Sequence, residues 1–239
     1  MKRLDFWVGL VLATAMVIAS WRGWLRYEMT ETLGFVTGAA CVYLVVIQNI
    51  WNFPIGIANN IFLLVLFGAV RLDGNAGLQI IYLFLGLHGW YSWLYGGENR
   101  TALRVERASQ RTFVVLGALV VAGTLGLTFA VRHAGGAAPA LDSFTTVLSL
   151  AAQYLLNRKA VENWYLWITV DIVSIYLFIA QGLHLTAVLY FVFLCLCVVG
   201  LRSWLRSLKE QDGGESERVG LSAGGGAAQA LNSVGGDGR

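Results

Sequence analysis

Residues 31–94 come back, displaced by 111 positions and without a gap, as residues 142–205. Nineteen of the sixty-four aligned pairs are identical. They include Tyr43 with Tyr154, Asn52 with Asn163, Leu66 and Phe67 with Leu177 and Phe178, and Gly89 with Gly200. They also include the triplet Ser92-Trp93-Leu94 with Ser203-Trp204-Leu205. An apolar chain matches itself by chance at Leu and Val, but not so readily at Asn, Gly, Tyr and Trp. A fixed displacement of this kind marks a duplicated structural unit.

The solvent of that unit follows from composition. Charged residues make up 13% of the chain and hydrophobic ones 57%, with a mean hydropathy of +0.64, where a soluble domain carries roughly 25% charged residues. Eight apolar segments approach the length that crosses a bilayer, which is about 20 residues. They run over about 4–24, 31–49, 53–70, 76–95, 112–131, 142–157, 164–181 and 184–205. Two prolines and long unbroken runs favour helices over a barrel, whose strands would alternate at every second residue. The expected class is an all-α integral membrane protein. Each repeat holds three helices, and one linker helix joins them. Four spans then separate equivalent points, so the repeats are parallel and related by an axis along the membrane normal. Parallel repeats with a substrate site between them are a transporter plan.

Charge orients this arrangement. If all eight segments span, one side holds Lys2, Arg3, Arg100, Arg104, Arg107, Arg111, Arg158, Lys159, Arg202, Arg206 and Lys209. The other holds Arg22, Arg26, Arg71 and Arg132. Eleven against four places the first side in the cytoplasm, with both termini there. The first segment follows Lys2 and Arg3 and has the look of a signal peptide, but an uncleaved helix suits a multi-span chain better. If it lies on the surface instead, only the N-terminus moves. The expected organisation is an extra N-terminal helix (1–28), a first three-helix repeat (29–96) and a loop with the linker helix (97–138). A second repeat (139–209) and a tail (210–239) follow. The tail is rich in Gly, Ser and Ala and reads as disordered.

Polar groups inside the spans cost several kcal/mol unless paired, about 2–7 for an amide or hydroxyl without a hydrogen bond, and point to function. Trp164, Trp167, Asp171 and Ser174 follow one another at spacings of 3, 4 and 3 and share a helix face. Their repeat counterparts are Phe53, Gly56, Asn60 and Leu63. Gln79, Tyr82, Gly86, Trp90 and Trp93 form a second face at 3, 4, 4 and 3. Two matched but unequal walls suit a flat ring stacked on an indole, with polar groups fixing its substituents. The candidate binding residues are Asn60, Gln79, Tyr82, Trp90, Asn163, Trp164, Trp167, Asp171 and Ser174. Pro54 and Gly56 are candidate hinge or gating positions. The plainer readings are also open. Trp93 and Trp204, at helix ends, fit the interfacial aromatic belt. Asn59 and Asn60 fit helix–helix hydrogen bonds, and Pro54 fits a helix first turn.

Catalysis finds little support. The chain has no CxxC, GxxxxGK[ST], GxGxxG or HExxH. Cys41, Cys195 and Cys197 sit in apolar runs and read as packing residues. His88 falls off the polar face of its segment, and His133 and His184 lie at ends or in loops. No catalytic set, metal, cofactor or nucleic-acid partner is expected. A membrane enzyme using Asp171 with a histidine, and a receptor that binds without transporting, are the competing readings.

"WNFPIGIANN" (51–60), "QIIYLFLGLHGWYSW" (79–93) and "ENWYLWITVD" (162–171) resemble the signature segments of the PnuC family of nicotinamide riboside transporters. The resemblance covers about residues 31–206. It implies a 3+1+3 helical core like that of the SWEET sugar transporters and a bacterial inner-membrane location. It also implies facilitated uptake of the NAD precursor nicotinamide riboside, without ATP or a coupling ion. Family members are often homotrimers, and relatives accept thiamine or riboflavin. A cytoplasmic kinase acting downstream would trap the product. The bottom-up reading fits such a substrate: a cationic ring gains about 2 kcal/mol against an indole face when desolvated. Gln79 and Asn60 can pair with its carboxamide or ribose, and Asp171 can meet the diol or offset the ring's charge. No arginine lies in the spans that form the walls, so a phosphorylated mononucleotide should be rejected.

Overall fold

The computed structural model describes Arg22 and residues 29–69, 73–133 and 140–234; the first apolar segment, apart from Arg22, lies outside the described residues. Seven helices follow one another: α1 (Met29–Val46), α2 (Asn52–Ala69), α3 (Asp73–Tyr95), α4 (Gln110–His133), α5 (Ala140–Asn157), α6 (Asn163–Ala180) and α7 (His184–Val234). Among the described residues there is no strand, only a single bridge between Glu106 and Ala160. The protein is all-α. Helix α4, helix α6 and the Thr186–Gln211 part of α7 are long and apolar enough to cross a membrane; shorter apolar stretches run over Val36–Val46 and Asn52–Val65. Large apolar side chains face outward, including Val65, Phe84, Val114, Leu125 and Phe129, each about two-thirds exposed or more. In water such a surface would aggregate; in lipid it is solvated.

The backbone of α7 stays helical to Val234, although composition predicts disorder from residue 210 onward. No proline interrupts 184–234, and Glu, Leu, Ala and Gln, all good helix formers, recur there.

The displacement by 111 positions reappears as geometry. Helix α1 ends in a hydrogen-bond pair, Gln48 N–H to Val45 O and Asn49 N–H to Leu44 O, with Gln48 at φ 56°. Helix α5 ends in the same pair, Lys159 N–H to Leu156 O and Ala160 N–H to Leu155 O, with Lys159 at φ 52°. This is a Schellman ending with a side-chain-bearing residue where glycine is usual. In both corners an asparagine then opens the next helix: Asn52 Nδ2 donates to Asn49 O, and Asn163 Nδ2 to Ala160 O. Pro54 stands in the first turn of α2, where its missing N–H costs nothing.

Helices adjacent in sequence pack together as α1–α2, α2–α3, α4–α5, α5–α6 and α6–α7. The repeats touch through α1–α7 and α3–α5. Exchanging α1 with α5 and α3 with α7 turns one of these contacts into the other. The side chains obey the same exchange. Trp93 Nε1–H donates to Leu156 O at 3.0 Å, and Trp204 Nε1–H donates to Val45 O at 3.1 Å. Both donors and both acceptors are repeat equivalents. The two indoles lie 6.0 Å apart, each met edge-on by a ring of its own repeat: Phe53 on Trp93 at 5.1 Å and Trp164 on Trp204 at 5.4 Å. Trp93 and Trp204 are therefore buried interlocks between repeats, 3% and 0% exposed, and not the interfacial anchors that helix-end position suggests. Each indole removes a buried carbonyl's need for a partner, and losing such a bond costs about 1–3 kcal/mol. Trp93→Phe and Trp204→Phe should lower the unfolding midpoint in detergent by similar amounts. A shift in one variant alone would contradict the exchange symmetry.

A strap crosses one end of this arrangement. Leu103 N–H donates to Trp93 O, Glu106 N–H to Lys159 O, and Val161 N–H to Glu106 O. Ala108 N–H donates to Glu162 Oε2. Ion pairs Arg107–Glu162 (3.9 Å) and Arg158–Glu106 (3.7 Å) lie at its edge. Lys159, in the turn between α5 and α6, donates from Nζ to Leu103 O at 2.9 Å and sits 4.4 Å above the Trp93 ring. Burial lowers its ammonium from 10.5 to about 8. A lysine lowered by folding binds fewer protons folded than unfolded, so stability rises with pH between these two values. Below pH 8 the penalty for the buried charge is fully present. Unfolding midpoints of wild type and Lys159→Gln (glutamine being the residue at the equivalent position 48) should therefore diverge in favour of wild type between about pH 8 and 10.5. A pH-independent difference would contradict this.

Candidate substrate site between the repeats

Helix α6 carries the expected face, but the structure divides it. Trp164, at 1% exposed, lies flat in the core beneath Gly200 and against Trp204. Its indole N–H is buried with no partner among the described residues. Asn163, fully buried, spends its amide on Ala160 O to turn the corner, as Asn52 does in the first repeat, and its Oδ1 has no partner. Nearer the middle of α6 the face changes. Trp167 is half-buried and packs against both clusters of buried side chains. Asp171 and Ser174 are buried.

Asp171 is the unusual group. It is 5% exposed, and among the described residues no lysine or arginine pairs with it. Its one hydrogen bond comes from the Cys197 thiol on α7, Sγ to Oδ2 at 3.4 Å. Among the described residues its Oδ1 meets no hydrogen-bond donor, and it is not among the atoms sealed from solvent. Tyr190, also on α7, lies within electrostatic reach of Asp171 and of Tyr82.

From the first repeat, Tyr82 on α3 reaches across to Ser149 on α5 through a short hydroxyl–hydroxyl hydrogen bond. The equivalent pair on the other side is Phe193 and Gly38, where the ring end would stand 3.6 Å from an added Cβ. One side of the repeat interface is thus polar and the other apolar. Asn157 adds to the polar side: its Nδ2 donates to Leu85 O at 2.7 Å and its Oδ1 accepts from Gln153 Nε2. Gln79 and Asn60 are half-buried without a hydrogen-bond partner among the described residues, so both amides are free to meet a ligand. Asn59 is engaged, accepting from Thr37 Oγ1 at 3.1 Å. Trp90 is half-buried against the aromatic core. A Cβ added to Gly56 would meet only Cys41 Sγ, at 3.8 Å. Packing does not demand this glycine, whose Cβ direction points toward α1.

The structure thus brings Asp171, Cys197, Tyr190 and Tyr82 into one neighbourhood and assigns Trp164 and Asn163 to the core. Tyr190 and Cys197 escaped the sequence reading. They are the repeat equivalents of Gln79 and Gly86, so extending the shift from α3 to α7 would have found them. Reading Cys197 as a packing residue alone misses its hydrogen bond to Asp171. A groove of about 550 Å³ lies elsewhere, between α4 and α5, lined by Arg111, Leu116, Val120, Val147, Ala151 and Tyr154. None of the candidate binding residues lines it.

Residues 28–206 match the family model described as nicotinamide mononucleotide transporter. The chain belongs to this family. Among its relatives, the nicotinamide riboside transporter PnuC of Escherichia coli is 25% identical over 207 residues, covering 76% of this chain and 87% of that protein. The riboflavin/roseoflavin transporter RibM of Streptomyces davaonensis is 30% identical over 190 residues, with the same coverage. A solved structure of the vitamin B3 transporter PnuC superposes with a TM-score of 0.66 at 24% identity, over 85% of this chain and 92% of that one, and shows the same fold. A member of this family is a multi-pass membrane transporter and not an enzyme.

Proposed function

We propose that the chain carries nicotinamide riboside into the cell by facilitated uniport, its two three-helix repeats rocking about a central site. The observation that carries this reading is Asp171, a buried carboxylate without a basic partner, on the same α6 face as Trp167. An unpaired buried carboxylate is costly, and a ligand with a positive ring offsets that cost. Nicotinamide riboside is such a ligand: its ring stacks on Trp167, and Gln79, Asn60 and Tyr82 have the donors and acceptors for carboxamide and ribose. Phosphate has no counterpart here, since no arginine or lysine lies on the described wall faces. The riboside, and not the mononucleotide of the family's description, is therefore the cargo.

Alternating access needs a closure that opens. The Trp93–Trp204 interlock lies near the C-terminal end of α3 and near the end of the apolar Thr186–Gln211 part of α7, at the arginine-rich side that charge assigns to the cytoplasm together with the C-terminus. With that end held shut, the site communicates with the opposite side. Pro54 and Gly56, at the start of α2, are positioned to take up the change. A second reading has one specific support, the 30% identity to a riboflavin transporter. Riboflavin is neutral and larger, and it gives Asp171 no charge to meet.

Uptake into proteoliposomes decides between them. Labelled nicotinamide riboside should enter and be recovered chemically unchanged, with no competition from the mononucleotide and little from riboflavin. Trp167→Ala should lower affinity by about tenfold, on the order of the stacking energy lost. Wild-type uptake by that variant would overturn the site.

A further inference from the structure

Asp171 can act as a charge partner only if its carboxylate is held in one orientation. Helix α7 packs against it, and α3 reaches its neighbour Tyr190. Helix α7 offers Cys197 Sγ, donating to Oδ2, and Tyr190 within electrostatic reach. Helix α3 offers Tyr82, which is within reach of Tyr190 and whose hydroxyl is committed to Ser149. Cys197 is therefore the one recorded hydrogen-bond donor to this carboxylate among the described residues. It is 4% exposed and part of the aromatic core cluster, so it cannot swing away. The bond occupies Oδ2 and leaves Oδ1 open.

The repeat supplies an internal comparison. Asn60 stands where Asp171 stands, and Gly86 stands where Cys197 stands. The first repeat lacks both the charge and the donor; the second has both. Gly86 is also crowded, since a Cβ there would meet Ile57 at 3.3 Å, whereas the equivalent site on α7 accommodates a whole thiol. The charge and its donor thus occur together in one repeat and are both missing from the other, which is what a shared role requires.

We propose that Cys197 is a positioning residue for charge selectivity: its thiol holds Oδ2 of Asp171 so that Oδ1 is aimed at the cationic ring of the substrate. This rests on the riboside reading above. A thiol is a weak donor, but a charged acceptor strengthens the bond it makes, and burial keeps the two groups together. The reduced, dihydro form of nicotinamide riboside is the probe that isolates the effect. It keeps the carboxamide and ribose and nearly the same shape, but its ring is neutral.

Binding calorimetry on the purified full-length protein reads the ratio of the two affinities. Wild type should favour the cationic form by at least about tenfold, the equivalent of 1.4 kcal/mol. Cys197→Ala should cut that ratio by about three- to tenfold, chiefly by weakening the cationic form, and Cys197→Ser should restore it. Should the alanine variant fail to fold, Cys197→Val, which fills the space with an apolar side chain and removes the donor, takes its place. A wild-type ratio in both apolar variants overturns the proposal, as does a loss that serine does not rescue, which would mark a packing role only. Wild type that binds neither form brings down the riboside reading itself, a result distinct from an unchanged ratio.

Discussion

Asp171→Asn should weaken nicotinamide riboside binding by about ten- to a hundredfold, or 1.4–2.8 kcal/mol, while leaving the fold as stable as before or more so. The two halves of that expectation have one cause. A charge 4 Å from a cation is worth about 4 kcal/mol at an effective dielectric of 20, and part of this is lost again to desolvation. Without ligand, the same carboxylate is a liability: it is buried, and its only hydrogen bond comes from a weak thiol donor. Replacing an unpaired buried charge by a neutral amide removes that cost. The amide also fits the register, because Asn60 occupies the equivalent place in the first repeat. Calorimetry and thermal unfolding on one preparation check both halves. An aspartate with a purely structural role would give the opposite pattern, with lowered stability and unchanged affinity.

Gly200→Ala should be among the most damaging single methyl groups that can be added at the described glycines. A Cβ there runs into three carbon atoms of the Trp164 ring. Trp164 cannot retreat, since it is 1% exposed and packed edge-on against Trp204, which is itself bonded to Val45 O. Overpacking of this kind costs about 1–3 kcal/mol, occasionally more. Here the strain passes directly into the interlock between repeats, so folded yield should collapse. Gly89→Ala should behave alike, because its Cβ would strike Asn157 and Phe53. Gly56→Ala is the control, its Cβ meeting only Cys41 at an ordinary 3.8 Å. Folded yield by size-exclusion chromatography separates these cases. Combining Gly200→Ala with Trp164→Leu should recover part of the loss, as contact residues couple non-additively.

These glycines also show what was legible beforehand. The register of the repeat rested on Asn52/Asn163, Gly89/Gly200 and Trp93/Trp204, residues that apolar bias does not produce. Each pair performs the same task twice: a corner amide, a close helix approach, an indole donating to the other repeat. Helix positions followed to within a few residues because apolar run length dictates them, except at the end of α7, which runs on to Val234 beyond the apolar segment. Partner choice was not legible. A tryptophan at a helix end looks the same whether its N–H meets headgroups or a carbonyl of the other repeat. Trp164 looked like a wall of the site because spacing gives a face, but spacing does not say how deep along the helix the core reaches. The lower end of that face is core, and the proposed site begins near Trp167. Cys197 carried no signal as a cysteine; its signal lay in the comparison with Gly86.

Counterflow tests the central claim most directly. Proteoliposomes are loaded with unlabelled nicotinamide riboside and diluted into a trace of labelled riboside, with no ATP and no ion gradient. The account predicts a transient overshoot of label inside, absent for the mononucleotide and strongly reduced in Asp171→Asn at subsaturating substrate. Label that enters only when an ion gradient is imposed, or an overshoot with riboflavin but not with the riboside, would contradict it.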